Sequence, residues 1–410
     1  MVEMNRRRFL FASTGLTAAG LLAGATIGLP DLLQAAHDRP LAPGSGILVL
    51  VTLYGGNDGV NTLIPYADPA YHQSRPELAY AASDVLHLDS ALGLNPGMRG
   101  LAGLWQQKRL AVIRGVGYPK PDHSHFRSMD IWQTASPDEP VATGWIGRWL
   151  DATGDDPLRA VHIGTVLPPL AVGEKATAAA LSIQGDHTVK SFANTIAALG
   201  TPCAQDTPAM AMARQSYRAA QTTDAVLQPA TQGGAASNPG KDTPATAKAK
   251  SGNALADQLG VVARCIKAGV PTRVYSVSLG GFDTHANERG TQQRQLGQLD
   301  AAVTGFLDQM ATDPHGKNVV LMAYSEFGRR VRANASQGTD HGTAGPMFVA
   351  GVPVKGGFYG DEPSLTDLDN GDLKVTTDFR DVYHEVLTRT LGTDPGPVVG
   401  GNRKDVGFLT

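Results

Sequence analysis

Short, unbroken apolar runs set the terms for any fold this chain can adopt. GILVLVTL (Gly46 to Leu53) is bounded by glycine and carries no polar alternation, the pattern of a strand covered on both faces. Similar runs recur at LAVIRGV (Leu110 to Val116), RVYSVSL (Arg273 to Leu279), NVVLMAY (Asn318 to Tyr324) and PMFVAG (Pro346 to Gly351). Between the third and fourth lies Gln292 to Met310, where Leu296, Leu299, Val303, Phe306, Leu307 and Met310 keep helical spacing. Strand, helix and strand at this separation predict a parallel βαβ unit. The expected fold class is therefore α/β, a mostly parallel sheet flanked by helices.

At 410 residues the chain is long enough to bury a real core. Its 35 Lys and Arg against 38 Asp and Glu leave a net charge of −3, which gives no basic footprint for nucleic acid or an acidic membrane surface. Cys203 and Cys265 are the only cysteines and form no C-x-x-C, so a disulfide framework or a thiolate metal site is excluded. Cys265 lies on the apolar stripe of Leu255, Leu259, Val262 and Ile266, where cysteine serves as a small hydrophobe.

The N-terminal MNRRRFLFASTGLTAAGLLAGATIGLP sets Arg6-Arg7-Arg8-Phe9-Leu10 ahead of a weakly apolar stretch, the twin-arginine export pattern. The expectation is a signal peptide over residues 1–36, with the small Ala35 and Ala36 at its end; an uncleaved anchor is the other reading. No later run reaches the roughly 18 apolar residues of a membrane span, so a single domain over 41–410 is expected in the periplasm or outside the cell. That domain is interrupted at Ala230 to Gly252, a segment without aromatic residues or periodicity that reads as a disordered insertion. Gly234 to Lys241 inside it imitates a phosphate-binding loop, but Asp242 stands where Ser or Thr is required.

In open parallel sheets ligands gather beyond the carboxyl ends of the strands, where loops from several neighbours converge. The first run exits into YGGNDGVN with Asn57 and Asp58, and the third into GGFDTHAN with Asp283 and His285. The fourth exits into SEFGRR with Glu326, Arg329 and Arg330, followed by Asp340-His341-Gly342. Each piece alone is ordinary turn or cap chemistry; their recurrence at one edge points to a metal site. After the second run comes PKPDHSHFRSMDIW, where Ser124 sits between His123 and His125 at a helix start, a position that favours an anion or a developing alkoxide. An N-cap serine is the plainer reading, and Ser128 is a second candidate nucleophile.

The order Asp58, Ser124, Asp283 and His285, then Asp340-His341-Gly342 resembles the alkaline-phosphatase-like superfamily, which includes sulfatases. More closely, GGNDGVNTLIPY, SHFRSMDIW, GGFDTHAN, SEFGRRV, GTDHGTAGPMFV and TTDFRDVYHEVL resemble a bacterial family of twin-arginine-exported proteins known as the domain of unknown function 1501. The superfamily resemblance implies a hydrolase of phosphate or sulfate esters with one or two divalent ions, zinc or manganese. Asp58, Asp340 and His341 would bind one ion and Asp283 and His285 the other, with Ser124 as nucleophile and Arg329, Arg330 or Arg127 clamping the anionic small-molecule ester. The superfamily's usual histidine near the C-terminus has no match except His384, which flanks the apolar face of its helix, so His123 or His125 would have to substitute. A single-metal enzyme and a non-catalytic binding or assembly protein that keeps the fold are the alternatives. The twin-arginine export machinery is the expected protein partner.

Overall fold

All five apolar runs form strands in the computed structural model of the protein, which describes residues 26–154, 156–164, 166–181 and 252–410. Two compact units are seen among these residues, one built mainly from 42–141 and 273–410 and the other from 26–41, 142–181 and 268–272. Every candidate site residue belongs to the first.

In that larger unit the main strands are β1 (Ile47–Leu53), β2 (Leu110–Gly117), β3 (Val274–Leu279), β4 (Val319–Ser325), β7 (Gly345–Gly351) and β8 (Gly357–Tyr359). Between β4 and β7 stand the short β5 (Arg329–Ala333) and β6 (Thr339–His341), which pair as a hairpin of their own. The sheet order is β3-β1-β4-β7-β2-β8. β1 pairs in parallel with β3 and β4, and β2 in parallel with β8, while β7 runs antiparallel to both β4 and β2. The expected mostly parallel sheet is thus observed, with one reversed strand.

Every residue of β1 is buried, as its lack of alternation requires. The connection from β3 to β4 runs through the helix Glu288–Ala311 and passes over β1, the parallel crossover expected from the sequence. That helix buries the predicted stripe, Leu296, Leu299, Val303, Phe306, Leu307 and Met310.

The reversed strand has a consequence for the site. Leu53, Leu279 and Ser325 share one row at the carboxyl end of β1, β3 and β4. Because β7 runs the other way, its beginning lies at that same edge, Gly345 pairing with Val116 near the end of β2. The β5–β6 hairpin, which leads into β7, is therefore delivered to the edge where the exits of β1, β2, β3 and β4 converge.

In the smaller unit, Ala179–Leu181 pairs in parallel with Thr26–Ile27 and with Ala160–Ile163. Leu29–Asp38 forms a helix that buries Leu32, Ala35 and Ala36, and Arg39 meets Asp156 at 2.9 Å. Part of the stretch expected as signal peptide, residues 26–36, thus contributes to a folded unit; Arg6-Arg7-Arg8 and the insertion up to Ser251 lie outside the described residues. No helix among the described residues is long and apolar enough to cross a membrane.

Candidate metal centre

Asp283 Oδ1 is the point on which the strand-edge side chains converge. His285 Nε2 lies 3.0 Å from it, His341 Nε2 3.3 Å and His125 Nε2 3.5 Å. His285 Nε2 and His341 Nε2 are themselves 3.0 Å apart. Three segments bring these groups together: the exit of β3 supplies Asp283 and His285, the end of β6 supplies His341, and the first residue of the helix α1 (His125–Thr134) supplies His125.

Glycine makes the close approach possible. Gly55, at φ +118°, lies so near the Asp283 loop that a Cβ would sit 2.5 Å from Asp283 N. A Cβ on Gly338 would meet His285 C at 2.2 Å, so the β5–β6 hairpin can lie against the His285 segment only with glycine there.

The outer ring nitrogen of each histidine faces an acceptor. His125 Nδ1 is 2.8 Å from Glu326 Oε1, His341 Nδ1 is 2.7 Å from the His123 carbonyl, and His285 Nδ1 is 3.6 Å from Asp340 Oδ1. A carboxylate or carbonyl can only accept, so the proton of His125 and of His341 is drawn to Nδ1, which leaves Nε2 as a lone pair aimed at the cluster. His125 Nε2 is buried with no hydrogen-bond partner. Glu326, itself buried, is fixed by Gly55 N at 2.9 Å and by the Ser325 hydroxyl at 3.0 Å.

The electrostatics keep the donors in the forms a cation needs. Burial works to raise the Asp283 pKa, but the Arg329 guanidinium at 2.7 Å, helped by His341 and His285, overrides it and holds the carboxyl at about 2. Burial, with the charge of Arg329, lowers the His341 pKa despite the opposing bond to the His123 carbonyl, favouring the neutral ring.

These donors fit a transition-metal ion. Zinc bonds of about 2.0–2.1 Å in a tetrahedron set ligand atoms about 3.3 Å apart; the three Nε2 atoms lie 3.0 to 3.5 Å from Asp283 Oδ1, and the donors of His125, Asp283 and His341 all lie within 4.8 Å of one another. The hydrogen bonds from the far nitrogens of His125 and His341 are the outer support that metal-bound histidines show. Asp283 and His285 are about half exposed, so one side of the cluster is open to solvent.

The sequence-predicted residues divide. Asp283, His285 and His341 come together, and Asp340 stands at their rim, exposed, accepting from Asn334 Nδ2 at 3.2 Å. Asp58 does not join them: it is fully buried, with Oδ2 paired to Arg75 at 2.5 Å and Oδ1 accepting from Val60 N. Arg329 is a correction to the expected anion clamp. Its side chain is fully buried and its N–H groups go to the carbonyls of Gly55, Gly56, Phe282 and Thr339 and to Asp283, leaving none for a substrate. Arg127 is paired with Asp130 and Arg330 with Asp372.

Ser124 is exposed at the N-cap of α1, and its hydroxyl makes no capping bond. Ser128 is buried between the Tyr118 hydroxyl at 2.8 Å and the Glu326 carbonyl at 2.5 Å. His384 meets Asp405 at 3.1 Å. His125, offered by the sequence only as a substitute for a histidine near the C-terminus, lies beside Asp283 in the cluster, and its contact with Glu326 was not foreseen. The signal for both was the adjacency of each to a strand exit or helix start that already carried a candidate.

A family model described as "Protein of unknown function (DUF1501)" matches residues 144–403. No curated protein matches the chain. Among solved structures, the chain is similar to a protein in the alkaline phosphatase superfamily from Vibrio parahaemolyticus, at 10% identity over 93% of this chain and 79% of that one, with a TM-score of 0.42. It is also similar to a 2-O GAG sulfatase, at 11% identity over 76% of this chain and 65% of that one, with a TM-score of 0.29.

Proposed function

The chain belongs to the DUF1501 family, and from its convergent histidines we propose that it is an exported, divalent-metal-dependent hydrolase of phosphate or sulfate esters. The observation that carries the reading is the set of three imidazole Nε2 atoms within 3.5 Å of one carboxylate oxygen, two of them with their far nitrogens hydrogen-bonded to acceptors. His125, Asp283 and His341 would hold the ion, with His285 as a fourth donor on the open side. One ion is proposed rather than two, because Asp58 is committed to Arg75. An imidazole-rich set favours zinc over manganese.

Bound there, the ion would polarise an ester oxygen and favour the ionised form of an oxygen nucleophile. The chain's own residues supply the remaining parts. Ser124 presents an untethered hydroxyl at the N-terminus of a ten-residue helix, where the helix dipole favours developing negative charge. Ser128 is set aside as nucleophile because its hydroxyl is enclosed and bonded on both sides. Glu326 and the His123 carbonyl keep the ligand rings in one tautomer, and the Phe327 ring, 4.9 Å from His125 and 4.8 Å from His341, walls the cluster with an apolar face. Export by the twin-arginine route, to the periplasm or beyond, rests on Arg6-Arg7-Arg8-Phe9-Leu10.

A second reading, an exported binding protein without turnover, is favoured by one observation: Arg127 is paired with Asp130 and Arg329 is spent on carbonyls and Asp283, so of the three only the half-exposed Arg330, 3.5 Å from Asp372, could meet a substrate anion. Assays for phosphatase, phosphodiesterase and sulfatase activity on zinc-loaded protein and on Ser124→Ala separate the two. Activity that is lost in Ser124→Ala supports the hydrolase. Zinc-loaded protein that turns over none of these ester classes supports the binding reading.

A further inference from the structure

A second ionisable cluster lies buried in the same unit, formed by Asp58, Arg75 and Glu288, each fully removed from solvent. Asp58 follows β1, Arg75 caps the helix Pro69–Ser74, and Glu288 opens the helix α2 (Glu288–Ala311). Arg75 holds Asp58 at 2.5 Å and also donates to the carbonyls of Val331 at 2.9 Å and Arg330 at 2.8 Å, both on β5. Glu288 Oε2 accepts from the Thr339 hydroxyl at 2.5 Å, on β6. Glu288 Oε1 is buried with no N–H or O–H donor to satisfy it.

Charge counting decides the protonation. With both acids ionised, two carboxylates would share one guanidinium out of water, and an uncompensated buried charge of that kind is costly. Asp58 has the cation and a backbone N–H; Glu288 has only a hydroxyl. A proton on Glu288 Oε1 removes the excess charge and supplies a donor for the neighbouring Asp58. The groups that face the pair are Arg75, the Thr339 hydroxyl and, on the Asp58 side, the phenols of Tyr71 and Tyr80.

We propose that Glu288 is a neutral carboxylic acid that acts as a positioning residue: donating to Asp58 and accepting from Thr339, it clamps the β5–β6 hairpin, and with it His341, against α2 and the β1 exit loop. Two backbone bonds lie on the same seam, Asn287 N to the Ser336 carbonyl at 3.1 Å and Glu288 N to the Gln337 carbonyl at 2.9 Å. Burial first, and then the charge and hydrogen bond of Asp58, push the Glu288 carboxyl up to about 9, in the direction the geometry requires. The role of the clamp in metal binding rests on the reading of His341 as a ligand; its protonation does not.

Glutamine reproduces a protonated glutamate, one donor and one acceptor, so rescue by the amide is the diagnostic. In the full chain, cobalt(II) titrations at neutral pH should give Glu288→Gln an affinity within about threefold of wild type and Glu288→Ala one weaker by about tenfold or more. In metal-free protein, the urea midpoint of wild type should fall relative to that of Glu288→Gln as pH rises from about 6 towards 9, because only the glutamate can ionise. The clamp is overturned if glutamine is as damaging as alanine, or if the wild-type and glutamine midpoints run parallel across that range. Failure of all three proteins to take up cobalt would overturn the metal reading by itself, with the urea comparison still deciding whether Glu288 is the neutral acid.

Discussion

Replacing Glu326 separates orientation of a ligand from mere packing beside it. Glu326 Oε1 accepts from His125 Nδ1 at 2.8 Å and from Gly55 N at 2.9 Å. Glu326→Gln keeps a carbonyl oxygen for both donors; it loses the charge and turns Oε2, which accepts from the Ser325 hydroxyl, into an amide donor. Hydrogen bonds to charged groups contribute about 1.5–3 kcal/mol against about 0.5–1.5 for neutral ones, so the loss is about 1–1.5 kcal/mol, or roughly tenfold in zinc affinity. Glu326→Ala removes the acceptor altogether, releases the His125 ring and leaves a half-buried Gly55 N–H unpaired. Changes of this kind behind a metal-bound histidine cost up to about 100-fold. Competition with a chromophoric chelator at neutral pH reads both variants, and unfolding of the metal-free proteins shows how much of the change is loss of fold. Zinc affinity unchanged in both variants would refute the claim that Glu326 fixes His125 as a ligand.

Between the ordinary glutamate value of 4.5 and the raised value of Glu288, the folded chain holds a proton that the unfolded chain has released. Stability from this group is therefore greatest at low pH and falls by about 1.4 kcal/mol per pH unit through that window; urea unfolding of wild type and Glu288→Gln across pH should differ by this slope. Acidification should release the metal, since a protonated imidazole cannot bind it, and the lowered pKa of His341 works against that loss. Elemental analysis after dialysis at neutral pH and at successively lower pH checks it. Leu32, fully buried in the helix Leu29–Asp38, should cost about 2–5 kcal/mol when changed to alanine. A variant as stable as wild type in urea would show that this helix adds nothing to the folded unit.

The strands were legible because a strand covered on both faces must be largely apolar, and β1 and β4 are, apart from Thr52 and the closing Tyr324-Ser325. Strand direction was not: PMFVAG reads the same whichever way it enters the sheet, so the reversal of β7 shows only in the folded chain. The β5–β6 hairpin was also hidden, since RRVRA and TDH carry too few apolar residues to announce a strand. In the site, Asp283, His285 and His341 were legible as metal-type residues at strand ends. Asp58 carried the same local signal, but its fate was set by Arg75, seventeen residues on in a loop with no motif. Arg329 and Arg330 were indistinguishable as a sequence pair; the carbonyls that bury one and leave the other half-exposed come from four separate positions in the chain. His125 carries little signal of its own, because a histidine next to a serine at a helix start has a plainer explanation until Glu326, 201 residues away, is seen behind it.

Metal content of the protein purified as it folds in cells is the most direct measure of the proposal that His125, Asp283 and His341 hold a cation. The expected result is about one equivalent of zinc per chain, retained through dialysis and lost in His125→Ala and in Asp283→Ala while both variants stay folded. Folded wild-type protein without a stoichiometric transition metal, and unable to take one up, would contradict it.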